Sequence, residues 1–148
     1  VRLNLGCGSQ PEQDWVNLDA ADIPGVDVVH DLDVFPWPFK DGEAEEIKAF
    51  DVYEHVDRPL EFMAECHRIL SPGGQLYIHT SYWKNSDSFR DPTHRRFLTE
   101  ESFDYWVPGT YLNGRYGAAY AGGRHFEKVD VHLDIPGRGD LNVTLRKI

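Results

Sequence analysis

The chain has 148 residues, 41% of them hydrophobic, and a formal net charge of −10 from 25 acids against 15 bases. That length suits one domain spanning 1–148 with a core of its own. No apolar run reaches eighteen residues and no basic, apolar leader opens the sequence, so no membrane partner is expected and a cytoplasmic location is. The acidic balance argues against a nucleic-acid backbone, which Lys and Arg would have to neutralise, and suits a cationic ligand.

Val1 to Leu5 forms a short apolar strand that runs into Gly6-Cys7-Gly8-Ser9. A second apolar segment, Trp15 to Asp19, ends on an acid. Glycines without a Cβ let backbone approach a ligand closely, and a carboxylate at the end of the next strand suits ribose hydroxyls. The dinucleotide fingerprint needs a third glycine where this chain has Pro11. Asp19 also follows Gly6 by thirteen residues, whereas the fingerprint acid follows by roughly twenty. A nucleoside cofactor without a bound pyrophosphate fits better than a nicotinamide dinucleotide. An ordinary tight β-turn is the alternative reading of the glycines.

Further along, strands and helices alternate, which argues for a parallel sheet. Val26–Leu32 reads as a third strand that includes Asp31, and Phe35 to Phe39 as an aromatic loop stiffened by two prolines. A helical turn is expected over 43–46 and a fourth strand over Glu46–Asp51. The clearest helix is expected over Arg58–Leu70, with Asp57 as N-cap and Pro59 in the first turn. Leu60, Met63, Ala64, His67 and Leu70 then share one face. Pro72-Gly73-Gly74 ends it, and Gln75–Thr80 forms a fifth strand. A long connection runs from Ser81 to Leu98. Thr99 is placed to cap another helix, with Leu98 and Phe103 as a hydrophobic staple. Residues 107–123 read as loop. His125–Asp134 and Leu141–Arg146 form a hairpin across Pro136–Gly139. Cys7 and Cys66 lack CxxC spacing, so two reduced thiols are expected.

These residues carry a resemblance. Leu3 to Gly8, Val16 to Asp19, His30-Asp31-Leu32, Phe50 to Val56 and His67 to Leu76 resemble, in order and spacing, the class I S-adenosylmethionine-dependent methyltransferases, especially the small type-11-like branch. Asp91 to His94 and Phe97 to Phe103 resemble the same family. The resemblance implies an α/β, Rossmann-like, seven-stranded sheet in the order 3-2-1-4-5-7-6. Six strands would be parallel and one antiparallel, with helices on both faces. It implies S-adenosylmethionine as cofactor. Gly6, Cys7 and Gly8 would pass beneath its methionine and ribose parts, and Asp19 would take the ribose hydroxyls. Asp31 and Leu32 would hold the adenine, and Phe50 and Asp51 would line the methionine end. The family's helix before the first strand is missing here, and its next helix shrinks to about one turn around Pro11–Asp14. A protein partner or a second copy of the chain would cover the side left open.

Methyl transfer from a sulfonium is an in-line displacement in which the protein supplies alignment, with a general base only where the acceptor loses a proton. His55 and His94 follow carboxyl ends of strands, where ligands bind in open α/β sheets. They are the candidate catalytic residues. Tyr82, Trp83, Asp91 and Arg95 are candidates for the acceptor pocket. Each has a bland alternative: loop bracing for the histidines, core packing for Tyr82 and Trp83, a solvated pair for Arg95 and Arg96. Glu54 and His55 are adjacent, unlike two helical ligands at i and i+4, so no metal is expected. The expected activity is methyl transfer to a small-molecule or sugar-like acceptor. A non-catalytic, cofactor-binding or regulatory subunit of the same fold is the alternative.

Overall fold

A computed structural model describes residues 1–148. Seven strands, β1 (Arg2–Leu5), β2 (Val16–Asp19), β3 (Val28–Val29), β4 (Ala44–Phe50), β5 (Leu70–Ser81), β6 (Phe126–Ile135) and β7 (Arg138–Lys147), form one sheet in the order β3-β2-β1-β4-β5-β7-β6. The pairs from β3 to β5 are parallel, and β7 runs antiparallel to both β5 and β6. The order and the single reversed strand are as the sequence led one to expect. The helical elements are α1 (Pro59–Ile69), α2 (Asp87–Arg90), a 3-10 turn over Asp104–Trp106 and α3 (Tyr111–Tyr120).

Period-two alternation gives the sheet two unlike faces. The in-register rows Leu3-Ile47-Leu76-Leu145 and Leu5-Ala49-Ile78-Val143 cross β1, β4, β5 and β7 and are fully buried. Phe62, Met63, Cys66 and Ile69 of α1 join the same core cluster, as do Trp106 and Ala121 from either end of the 3-10 turn and α3 region. The intervening row, Arg2-Glu46-Gln75-Arg146-Glu127, lies on the other face. So does the row Asn4-Lys48-Tyr77-Thr144. Helices on both faces were expected, but the helical cover is one-sided. The uncovered face is polar and partly satisfied by its own pairs, such as Arg146 Nη2 donating to Glu127 Oε2 at 2.6 Å. It has little apolar area for a helix to bury.

Local departures have local causes. β3 is only Val28–Val29, although bonds to β2 flank it on both sides: Asp27 N–H donates to Asn17 O at 2.8 Å and His30 N–H to Asp19 O at 2.9 Å. The expected turn over 43–46 is strand from Ala44 onward, since Ala44 pairs with Leu70 and Glu45 N–H donates to Val1 O. The connection Pro11–Asp14 contains no helix. Asp57 does not cap α1. Asp33 does the equivalent work from a distant loop, its Oδ1 accepting from the N–H groups of Asp57 and Arg58 at 2.9 and 3.1 Å. The buried stripe of α1 is rotated from the expected one, leaving Leu60 exposed. Pro72-Gly73-Gly74 interrupts β5 without ending it, because Leu70 already pairs with Ala44 and Gln75 resumes opposite Glu46.

Thr99 starts turns, its Oγ1 accepting from Glu101 N–H, and no α-helix follows directly. The largest correction is α3, in a stretch that reads as loop. Thr110 caps it, Oγ1 accepting from Asn113 N–H at 3.2 Å. Gly117 is required there: a Cβ would stand 2.4 Å from Asn113 Nδ2, whose amide donates to Tyr105 O at 2.8 Å. Packing against the 3-10 turn overrides poor helix propensity.

His67 meets the ring of Phe126 edge-on at 5.3 Å, with Nε2 buried and unpartnered. Burial, then the charges of Lys147 and Arg124, push its pKa down from 6.5 to about 4. The unfolded chain therefore binds a proton below pH 6.5 that the folded chain resists. The native state should lose stability as pH falls from about 6.5 to about 4. His67→Leu should flatten that part of the profile, measured as Tm against pH. An equal slope in both proteins would place the ring's titration elsewhere.

Candidate active site

The glycine turn is held to the end of β2 by backbone and carboxylate together. Gly6 and Gly8 have φ of 61° and 49°. Cys7 N–H donates to Leu18 O at 3.0 Å. Gly8 N–H donates to Asp19 Oδ2 at 2.8 Å, and Ala21 N–H to Asp19 Oδ1 at 2.9 Å. A carboxylate has about four acceptor sites, so Asp19 is fixed and still free to accept from a ligand. Behind it, Asn4 Nδ2 donates to Asn17 Oδ1 at 2.9 Å and to Gln10 O at 3.2 Å. Asn17 Nδ2 donates to Glu12 O at 3.0 Å and Trp15 O at 3.1 Å. Those amides tie down the connection that stands where a helix was expected.

A cleft at the carboxyl ends of β1, β2 and β4 encloses about 590 Å³, open mouth included. Gly6, Asp19, Asp31, Leu32, Asp51 and His55 are among the residues that line it. Cys7 and Gly8 lie in an adjoining groove with Phe50, on the other side of the glycine turn. Burial, then Asp19, raises the Cys7 thiol pKa. Phe50 is half exposed and stacks on His79, with ring centroids 3.8 Å apart and planes 3° from parallel. Asp51 has φ of 56° and lines both spaces as well as a third. Its Oδ1 lies 3.0 Å from His79 Nδ1. Burial opposes charge on His79, but Asp51, Asp140 and Asp134 outweigh it and raise the pKa.

The third space is a pocket lined by Asp51, Glu54, His55, Ser81, Asp87, Arg90, Asp91, His94 and Asp140, with no apolar residue. Residues 53–55 form a turn, not a helix, so adjacent Glu54 and His55 both reach it. Glu54 is 1% exposed, and Oε2 accepts from Thr80 Oγ1 at 2.8 Å. Burial raises its pKa against the hydrogen bonds that lower it. The His55 and His94 rings meet at 4.7 Å, inclined by 74°. His94 Nδ1 lies 3.1 Å from Ser88 O and must donate to it. Thr93 Oγ1 gives its proton to Asp91 Oδ1 at 2.7 Å, so at 3.0 Å it accepts from His55 Nδ1. Both imidazoles therefore carry hydrogen on Nδ1, which leaves Nε2 available as an acceptor when the ring is neutral.

Of the four acceptor candidates, only Asp91 lines this pocket. Tyr82 is buried and its hydroxyl donates to Glu100 Oε1 at 2.9 Å. Trp83 packs against Tyr82, with the Lys84 ammonium over its ring. Arg95 turns outward to Asp57 at 2.9 Å, while its N–H donates to Glu54 O at 2.7 Å. Glu54, Ser81 and Asp140 are pocket residues that the sequence did not single out; the first was legible as the partner of His55 in Glu54-His55. Arg96 was read as surface. It donates to the carbonyls of Tyr53 and Val56 on both sides of Glu54-His55 and lies over the Tyr53 ring.

A methyltransferase-domain family model matches residues 3–78, just over half of the chain. Comparison with curated protein sequences finds no match. Solved structures are similar over nearly the whole chain. An S-adenosylmethionine-dependent methyltransferase from Thermotoga maritima is 17% identical with a TM-score of 0.68, covering 99% of this chain and 82% of that one. A chain in the complex between the Haloferax volcanii Trm112 methyltransferase activator and a methyltransferase is 14% identical with a TM-score of 0.64, covering 98% and 80%. The 1,6-didemethyltoxoflavin-N1-methyltransferase of Burkholderia thailandensis, solved with its substrate and S-adenosylhomocysteine, is 18% identical with a TM-score of 0.60, covering 99% and 70%. The chain belongs to the methyltransferase-domain family, and its fold is the Rossmann-like methyltransferase fold with the strand order given above.

The two glycines can be told apart by substitution. A Cβ on Gly6 would stand 2.5 Å from Val52 Cγ2, whereas one on Gly8 meets nothing within 4 Å. Gly8→Ala should cost about 1–2 kcal/mol of left-handed strain. Gly6→Ala adds overpacking of about 1–3 kcal/mol. Denaturant unfolding should separate the two variants by that margin, and equal losses would mean that Val52 yields freely.

Proposed function

We propose that the chain transfers a methyl group from S-adenosylmethionine to a small-molecule or sugar-like acceptor. The observation that carries this is continuity. Asp51 and His55 each line both the cleft beside Asp19 and the polar pocket that holds His94. A nucleoside held in the first space and an acceptor in the second would share that wall. The fit of the cofactor rests on free acceptor capacity at Asp19, the bare backbone of Gly6, and Asp31 and Leu32 at the far end of the same cleft.

In this reading Asp19 holds the ribose hydroxyls, Asp31 the adenine amino group and Leu32 the ring. Gly6, Cys7 and Gly8 pass beneath the ribose and methionine parts, and Asp51 and Phe50 border the methionine end. S-adenosylmethionine, when bound, supplies an activated methyl on a sulfonium. The residues of the polar pocket orient the acceptor, and Asp91 is among them. An acceptor proton would pass to Nε2 of His94 or His55, whose Nδ1–H groups are held by Ser88 O and Thr93 Oγ1. Asp91 Oδ2, 3.6 Å from His94 Nε2, would stabilise the imidazolium. The acidic lining suits an amine or polyhydroxy acceptor better than an anionic one.

A second reading, a regulatory subunit without turnover, draws support from the similarity to a chain in an activator complex. Calorimetric titration with S-adenosylmethionine and S-adenosylhomocysteine tests the first. One-to-one binding is expected, and Asp19→Ala should weaken it by about 1–3 kcal/mol, the scale of hydrogen bonds to a charged group. His94→Ala should leave that affinity unchanged and lower turnover of an acceptor found by screening amines and sugars. Tight cofactor binding with no turnover until a partner protein is added would favour the second reading.

A further inference from the structure

The pocket between β4 and the connection after β5 brings Glu54, His55 and His94 together, each offering a ligand atom within 4.8 Å of the others. Ligand atoms about 2.1 Å from a shared tetrahedral ion stand roughly 3.4 Å apart, so separations would close by up to about 1.4 Å, within the reach of side-chain rotation. From these residues we infer a binding site for a divalent transition metal, held by two imidazoles and one carboxylate.

Three features of the surroundings point the same way. First, both rings are oriented by hydrogen bonds on Nδ1, to Ser88 O and to Thr93 Oγ1, which leaves Nε2 of each as the lone-pair donor. Metal-ligating histidines are fixed in this way by an outer partner. Second, Glu54 is buried and aimed into the pocket, where Thr80 donates to its Oε2. A buried carboxylate so placed gains from a cation. Third, His94 Nε2 faces Asp91 Oδ2 at 3.6 Å. Either a proton on Nε2 or a metal ion beside it reconciles the two groups, and the second carboxylate adds to the attraction for a cation.

The alternative cluster, His79 with Asp134 and Asp140, is less suitable. His79 is occupied on Nδ1 by Asp51 and on Nε2 by the two carboxylates, at 3.5 and 3.4 Å, as an ion-paired ring would be. Two histidines and one carboxylate suit Zn²⁺ or Fe²⁺ and leave coordination positions open. Here they would open into the polar pocket, so an oxygen- or nitrogen-bearing acceptor would be recognised through the ion. That role rests on the acceptor-pocket reading above, but binding of the ion does not.

The test is titration of the whole chain with Co²⁺, followed by visible absorbance, with Zn²⁺ as competitor and S-adenosylhomocysteine affinity as a separate readout. One equivalent should bind. His55→Ala and His94→Ala should each weaken binding by about a hundredfold or more. Thr93→Val, which removes the outer partner of His55 and a hydrogen bond to Asp91 but no ligand, should weaken it by roughly 10–100-fold. Unchanged thermal unfolding of Thr93→Val would keep the result separate from folding. Absence of saturable binding overturns the inference. So does binding that survives both histidine substitutions and is lost in His79→Ala. Retained binding of S-adenosylhomocysteine in either case would leave the methyltransferase reading standing.

Discussion

The buried amides of Asn4 and Asn17, side by side on β1 and β2, take up backbone carbonyls at residues 10, 12 and 15 that would otherwise need helical or solvent partners. Leaving such carbonyls unmet inside a protein would cost about 1–3 kcal/mol each. The two side chains instead give an irregular connection a defined path. Cys7 and Gly8 can then bond to Leu18 and Asp19, which sets the distance between the glycine turn and the end of β2. The cleft exists because those two points are fixed relative to each other.

The same residues explain why the chain manages with cover on one face. Asn4 and Asn17 belong to the polar side of the sheet, with Lys48, Tyr77 and Thr144 in the neighbouring register positions. Glu12, from the irregular connection, pairs with Lys48, and Trp15 lies under Arg2 and Lys48. A loop of charged and aromatic side chains occupies ground that an apolar helix face would need hydrophobic strand residues to share. The helix-free connection between β1 and β2 and the polar strand faces beneath it are one compositional fact seen from two sides. A partner covering this face would meet charges and amides, not an apolar patch.

Much of the architecture was legible because strand burial follows alternation and the glycine turn and acid sit at the ends of apolar runs. Leu3, Leu5, Ile47 and Ile78 are core residues on that ground. What was illegible depends on contacts distant in sequence. Asp33 replaces Asp57 at the start of α1 from a separate loop. Helix α3 has two glycines and forms because Asn113 reaches Tyr105 and the tyrosines at 105, 116 and 120 pack together. At the candidate site, Asp19, Asp31, His55 and His94 could be named from position alone. Arg96 could not, because its task is to hold carbonyls 40 and 43 residues earlier. Tyr82 and Arg95 turn away from the polar pocket, toward Glu100 and Asp57, because proximity in sequence does not fix side-chain direction.

The left-handed backbone at Asp51 joins three cavities to one residue. A side chain at such a vertex leaves little room for neutral drift. Changing its length alters the cleft beside Asp19, the groove beside Phe50 and the polar pocket at once, and changing its charge removes one of the three carboxylates around His79. On the acceptor-pocket proposal, specificity is therefore more readily altered at the periphery, in the segment carrying Asp87, Arg90 and Asp91, than at the centre. The peripheral residues touch one space each, so substitutions there reshape the polar pocket and leave the junction at Asp51 intact.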